Sequence, residues 1–401
     1  HRAGWAYGHA LFGRSTMLIQ VDSVGSVERV HSVTIDGQRV IVAWDREHHR
    51  AFPSMWLRDN CACVQCLHPG SGQRLIDTLS IPETIAPQSA TVTEDGGIEL
   101  VWAGSGHVTR FASDWLLAHA SVGARDKRRT LWGREMGHSR SHATFDEVIA
   151  GGKPLRDWLA GVDQFGFALL HGVPRRPGEL FRVVDLFGFV RETNYGHLFD
   201  VRSQIHPRNL AFTGLALPAH TDNPYRDPTP TLQVLHCLVS SASGGDNTLV
   251  DGFRAAAELR RLNPDQFDVL SGTTVRFRYA DEDTDLSAEV PVISLDVHGD
   301  VTSIHFNNRS ITPIVMETES LERYYDAYRA FARLLVSPDL QIEVHLDPGD
   351  LLIMDNLRVL HGRTAYSGAG KRHLQGCYAD MDGLRSRLAV LNRNLTDTDR
   401  S

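Results

Sequence analysis

The sequence predicts a mostly β chain with some helix, built as a sandwich, barrel or jelly roll behind a smaller β-rich unit. Two patterns carry that expectation. From residue 145 onward short apolar, β-branched runs succeed one another, among them TLQVLHCLV, TVRFRYA, QIEVHLD and DLLIMDN, with few helical stretches between them. Residues 18–115 alternate aliphatic and polar residues around DG and GG dipeptides, the mark of short hairpins. A length of 401 residues, 42% of them apolar and 22% charged, supplies a core for one large domain or two ordinary ones.

In chain order, residues 1–17 read as an extension with Met17 as a natural start, because HRAGWAYGHALFGRST has neither a signal-peptide core nor a cleavage site. Residues 18–115 form the first unit through SVTIDGQRVIVAW, GGIELVWA and VTRFASDWLL. Residues 116–144 are basic, glycine-spotted and weakly periodic, and read as a linker. Residues 145–392 form the second domain. There FDEVIAGGKPLRDWLAGVDQFG, RPGELFRVVDLFGFV and LERYYDAYRAFARLLV carry helical spacing, and residues 393–401 are left as a tail. Lys and Arg number 41 against 49 Asp and Glu, a net charge of −8, which argues against nucleic acid as the main partner. No apolar run approaches the roughly 18 residues of a membrane helix. A cytoplasmic chain with no membrane partner is expected.

Three of the 5 cysteines crowd into NCACVQC as Cys61, Cys63 and Cys66, whereas Cys237 and Cys377 stand alone in apolar surroundings. A disulfide framework spreads its cysteines, so the cluster points instead to a soft tetrahedral cation, zinc by default. The bland alternative is a loop of reduced thiols. A fourth ligand could come from His68, which would have to fold back sharply, or from His107 in GSGHVTRF, which would staple a distant segment to the loop. Geometry favours His107. With four protein ligands and no open position, such a zinc is structural.

A second constellation lies in the later domain. HTDNPY places His220 and Asp222 two residues apart, on one face of an extended chain. His361 follows the strand-like DLLIMDNLRVL. Two imidazoles and one carboxylate on one face of a metal, with the opposite positions open, define the facial triad of non-haem Fe(II) oxygenases. A competing pair, His345 and Asp347, lies too near His361 in sequence to be the remote half of a triad. Arg372, eleven residues beyond His361, can aim a guanidinium at a carboxylate in the same pocket.

These residues resemble the Fe(II)/2-oxoglutarate dioxygenases, and within them the γ-butyrobetaine hydroxylase-like branch. The likeness runs from about residue 25 to 392 through WLRDNCACVQC, GSGHVTRF, YGHLFDVR, HTDNPY, LQVLHC, GGDNTLVDGF, HFNNRS, PGDLLIMDN and HGRTAYSGAGKRHLQGCYADMD. It implies a double-stranded β-helix (jelly roll) dioxygenase domain plus a small zinc-binding β-rich N-terminal domain, with His107 as the fourth zinc ligand. It further implies iron on His220, Asp222 and His361, and the distal carboxylate of 2-oxoglutarate on Arg372, with Asn247 and Thr248 beside it. Fe(II), 2-oxoglutarate and Zn(II) are then the cofactors, dioxygen the co-substrate, and a homodimer the expected assembly.

The resemblance also implies a small-molecule substrate. Tyr195, Phe199, Phe212 and Tyr378 align with an aromatic cage for a trimethylammonium group. Asn209 and Asn308 align with residues that bind the substrate's carboxylate, and beside them Arg309 adds a guanidinium where the family's type member has a small neutral residue. That addition suits a doubly charged, three-oxygen anion. The expectation is therefore hydroxylation of 2-(trimethylammonio)ethylphosphonate at the carbon next to phosphorus. γ-Butyrobetaine 3-hydroxylation, which forms carnitine, is the alternative, and a non-catalytic jelly-roll binding module is third.

Overall fold

The computed structural model describes residues 28–120, 129–138, 141–202, 215–241, 244–366 and 370–398. The chain divides into two compact units, His1–Arg125 and Asp126–Ser401. Residues 1–17, read above as an extension, lie outside the described residues.

In the first unit, β1 (Ser32–Asp36), β2 (Arg39–Ala43) and β3 (His49–Pro53) form one antiparallel sheet, followed by helix α1 (Ser54–Asp59). A second is built from β4 (Pro87–Val92), β5 (Ile98–Trp102) and β6 (Val108–Phe111), with helix α2 (Ser113–Ala120) after it. Asp36 pairs with Arg39, so the first hairpin turns on Gly37 and Gln38 alone, and Gly37 takes φ 56°, which a side chain would resist. Alternation places Val40, Val42, Ile98, Leu100 and Trp102 inward, where they meet Phe52, Leu57 and Leu116.

The second unit opens with β7 (His142–Thr144), α3 (Phe145–Ile149), α4 (Gly152–Phe165), β8 (Phe167–His171) and α5 (Glu179–Val184). Then come β9 (Phe199–Arg202), β10 (Leu217–His220), β11 (Leu232–Ser240), β12 (Asn247–Asp251), α6 (Gly252–Leu262) and α7 (Pro264–Gly272). Two hairpins follow, β13 (Thr274–Ala280) with β14 (Asp285–Pro291) and β15 (Ile293–Leu295) with β16 (Val301–Ile304). The unit closes with α8 (Thr318–Leu335), β17 (Gln341–Val344), β18 (Leu351–Asp355), β19 (Val359–Arg363), β20 (Arg372–Ala379) and α9 (Met381–Thr398).

The principal strands form two facing sheets, one in the order β7-β8-β18-β11-β20-β9 and the other β10-β19-β12-β17. This is the expected jelly roll. Its inner layer draws Leu169, Leu235, Leu352, Met354 and Leu374 from the first sheet and Leu249, Ile342, Val344 and Val359 from the second. The intervening residues of the larger sheet, Ala168, Leu170, Val234 and Ile353, pack outward against Trp158, Leu159 and Leu384 of α4 and α9. Val250 and Leu360 of the smaller sheet pack outward against α6 to α8. Burial on both faces is why these strands read as continuous apolar runs.

The structure redraws some expected boundaries. Helix α2 runs past residue 115, and β7 and the buried Trp132 belong to the second unit although both fall inside the basic stretch 116–144. Trp132 donates from its backbone N to Asp251 Oδ2 at 3.1 Å and from Nε1 to Phe165 O at 2.6 Å. The run NTLVDGF ends as a strand at Asp251, whose carboxylate accepts from Phe253 N and starts α6. Helix α9 runs to Thr398 and so takes in residues 393–398 of the expected tail.

Candidate active site and metal centres

The mouth of the jelly roll is organised by one close strand pair. β10 and β19 are antiparallel, with His220 opposite His361 and a bulge between Leu217 and His220. Gly362 makes the approach feasible, because a Cβ there would lie 2.6 Å from Leu217 O and 2.6 Å from Thr248 Oγ1. The two imidazole rings are 4.4 Å apart. Asp222 is held by Asn356, which accepts from Asp222 N at 2.8 Å and donates to its carbonyl at 2.9 Å.

Ligand atoms of His220, Asp222 and His361 all lie within 4.8 Å of one another. His220 Nε2 is 3.4 Å from Asp222 Oδ1, and His361 Nε2 is 3.8 Å from Oδ2. His220 Nδ1 sits 2.9 Å from Pro218 O, an atom that only accepts, so Nδ1 carries a proton and Nε2 is the nitrogen turned toward Asp222. Burial, helped by the neighbouring His220, lowers His361 to about 3 and keeps it neutral. Burial works against the Asp222 carboxylate, but His361 and His220 more than offset it and hold Asp222 below the usual carboxylate range. Two imidazoles and a carboxylate converging from one side form the donor set that a divalent iron takes. His345 and Asp347 lie elsewhere, with His345 Nδ1 against Asp246.

These ligands open into a cavity of about 370 Å³. Arg372 lines it from β20, only 8% exposed, with Nη2 3.3 Å from Asn247 Oδ1 and its guanidinium 5.9 Å from the Tyr366 ring centre. No carboxylate lies within ion-pair distance of it among the described residues. A buried cation in that state calls for an anionic ligand, and the distal carboxylate of 2-oxoglutarate fits. Thr248, adjacent to Asn247 on β12, does not line the cavity, which corrects its expected place beside the carboxylate. Successive strand residues face opposite ways.

Of the expected aromatic residues, Tyr195, Phe199 and Tyr378 line the cavity, with Phe199 5.2 Å from Tyr378 and 6.3 Å from Tyr195. Phe212 and Asn209 lie outside the described residues. Two further rings went unnoticed in the sequence. Tyr225 and Tyr279 stack at 5.3 Å, and the Tyr225 hydroxyl lies 3.1 Å from that of Tyr195. Tyr225 was within reach, three residues past Asp222 in HTDNPY. Asn308 is a correction: it is exposed, accepts from the Tyr328 hydroxyl, and leaves the cavity to Asn307 and Arg309. Arg278 also lines the cavity, but its Nε and Nη2 donate to the two Asp285 carboxylate oxygens at 2.8 and 2.7 Å.

In the first unit, Cys61, Cys63, Cys66 and His107 converge. His107 Nε2 lies 3.3, 3.6 and 3.6 Å from the three sulfurs. Tetrahedral zinc with ordinary Zn–S and Zn–N bonds sets that separation at about 3.6 Å, so the group fits zinc. Arg58 Nη1 donates to Cys66 Sγ at 3.2 Å, and burial pushes the Cys61 thiol up to about 11. His68 is turned away, its Nδ1 accepting from Ser71 N at 3.1 Å.

A jelly roll whose strand ends bring two histidines and an aspartate to one cavity defines a non-haem iron oxygenase. Residues 126–378 match the family model described as taurine catabolism dioxygenase TauD, TfdA family, and residues 32–117 match the gamma-butyrobetaine hydroxylase-like N-terminal model. The chain is 39% identical over 361 residues to the gamma-butyrobetaine dioxygenase of Pseudomonas sp. strain AK-1, covering 88% of this chain and 94% of that protein. It is 32% identical over 379 residues to the Homo sapiens gamma-butyrobetaine dioxygenase, covering 90% and 96%. It is 28% identical over 386 residues to the trimethyllysine dioxygenase of Meyerozyma guilliermondii, covering 91% and 96%. The chain belongs to the TauD/TfdA dioxygenase family, in its γ-butyrobetaine hydroxylase-like branch. It is an enzyme of the Fe(II)/2-oxoglutarate-dependent class, with dioxygen as co-substrate.

Proposed function

We propose that the protein hydroxylates one carbon of a small trimethylammonium zwitterion. The observation that carries this is the placement of five aromatic rings, Tyr195, Phe199, Tyr225, Tyr279 and Tyr378, on the wall of the cavity that also holds His220, Asp222 and His361. Each ring face attracts a quaternary ammonium by roughly 0.5–2 kcal/mol. The relatives named for γ-butyrobetaine and for trimethyllysine act on molecules that bear this group.

In this reading His220, Asp222 and His361 hold iron(II), and Arg372 with Asn247 takes the distal carboxylate of 2-oxoglutarate. Iron, 2-oxoglutarate and dioxygen together supply an oxidation that turns C–H into C–OH, with succinate and carbon dioxide as by-products. The rings fix the cationic end of the substrate and Arg309 meets the anionic end, so the length between them decides which carbon stands over the metal. Cys61, Cys63, Cys66 and His107 hold a structural zinc. A cytoplasmic homodimer completes the proposal, with oligomeric state open to sedimentation analysis.

γ-Butyrobetaine leads as substrate, on the strength of the relatives, and hydroxylation at its carbon 3 gives carnitine. 2-(Trimethylammonio)ethylphosphonate is the second reading. It is favoured by Arg309, a cavity-lining guanidinium that has no carboxylate partner among the described residues. The test is a panel of small trimethylammonium carboxylates and phosphonates, with succinate formation and hydroxylated product as readouts. Coupled turnover of at least one member is expected. Turnover of a substrate without the quaternary ammonium, such as taurine, in preference to every member of the panel would overturn the proposal.

A further inference from the structure

Asp222 offers a metal two oxygens, and each already lies near a histidine nitrogen, Oδ1 3.4 Å from His220 Nε2 and Oδ2 3.8 Å from His361 Nε2. A carboxylate free to use both would occupy two coordination positions. Something must choose between them, and two donors converge on one oxygen. Gln233 Nε2 donates to Asp222 Oδ2 at 2.6 Å, and the Tyr378 hydroxyl donates to the same atom at 2.8 Å.

The donors are built as a unit. Gln233 and Tyr378 are directly opposite each other in the β11–β20 ladder, so their side chains leave the same face of the larger sheet as immediate neighbours. Their strand neighbours Leu232, Val234, Cys377 and Ala379 pack on the opposite, helix-covered face, which fixes the alternation. Both residues are 3% exposed, so neither bond competes with bulk water. Charge-assisted bonds of this length are among the stronger ones in a folded chain.

We propose that Gln233 and Tyr378 are positioning residues that hold Asp222 to the metal through Oδ1 alone, which keeps one further coordination position open for the oxidant or the co-substrate. The Tyr378 ring then serves the cavity wall while its hydroxyl serves the ligand, two roles separable by mutation. The inference rests on the triad reading above.

The test is an anaerobic Co(II) titration of the zinc-loaded protein, without 2-oxoglutarate or substrate. Gln233→Met and Tyr378→Phe, each close in shape to the residue removed, are compared with the parent and with His361→Ala. Each of the two is expected to weaken Co(II) binding by about ten- to a hundredfold, the usual range for residues that orient a metal ligand. Each should also change the intensity of the visible Co(II) absorption, which follows coordination number and which a general loosening of the fold does not move. Thermal unfolding of each variant shows whether it is folded, and either variant alone decides the matter. Binding and spectra equal to the parent's in the folded variants overturn the lock. A parent site that His361→Ala leaves intact overturns the triad reading instead.

Discussion

Replacing Arg309 with methionine removes one charge from the cavity wall and keeps most of the side chain's bulk. The guanidinium makes no ion pair among the described residues, so its loss strands no buried carboxylate and the effect falls on whatever it binds. A hydrogen bond to a charged group contributes about 1.5–3 kcal/mol. At 1.36 kcal/mol per tenfold, that is about ten- to a hundredfold in kcat/KM for an anion that uses Arg309 fully. A phosphonate, with three acceptor oxygens and more than one negative charge, should lose that whole factor, and a carboxylate less. Arg309 also contributes to the field at Asp222 and His361. The assay is therefore the ratio of kcat/KM for the phosphonate to that for γ-butyrobetaine, in which any change at the metal cancels. A fall in this ratio of tenfold or more is expected. An unchanged ratio would refute the idea that Arg309 discriminates a phosphonate from a carboxylate, and no loss for either substrate would refute an anion role for it.

Arg372→Ala should raise the KM for 2-oxoglutarate by at least tenfold while substrate binding changes little, because among the described residues the buried guanidinium meets Asn247 and the Tyr366 ring and no carboxylate; an unchanged KM places the co-substrate elsewhere. His107→Ala should lower the zinc content and the melting temperature together, by metal analysis and calorimetry, and full zinc retention would end its role as ligand. Burial lowers His305 to about 4, whereas an unfolded histidine titrates near 6.5, so the unfolded chain binds the extra proton between those values. Stability should thus fall as pH drops through that window, by about 3 kcal/mol, and urea unfolding of His305→Gln should lose this slope; equal slopes in parent and variant refute it.

How far the sequence could be read depends on which contacts are local. His220 and Asp222 were legible because an extended HxD pair puts both side chains on one face. The chemistry of the pair then demanded a remote histidine, which the structure supplies across a strand ladder. Cys61, Cys63 and Cys66 were legible for the same reason. Tyr279 was not, because it enters the cavity from a hairpin whose position is set by packing. Asn308 and Asn307 differ by one residue in a turn, where no periodicity tells which amide faces inward. Thr248 could have been excluded by strand alternation. Trp132 was hidden by its basic neighbours, since average composition does not reveal one aromatic side chain that anchors to Asp251 and Phe165.

The pairing of β10 with β19 has a consequence for assembly. Among the described residues β10 is an outer strand of its sheet, bonded only to β19, and its inner end carries His220 opposite His361. Two ligands 141 positions apart in the chain are thus neighbours across a single ladder. An ion held by both acts as a rivet at the margin of the sheet. Peeling β10 away separates the ligands, and a slip of one residue turns His220 to the wrong face. Metal occupancy and margin integrity are therefore one equilibrium, and an ion at a hundred times its dissociation constant would stabilise the riveted state by about 2.7 kcal/mol. Amide exchange along β10 should slow as metal is added, before any substrate enters.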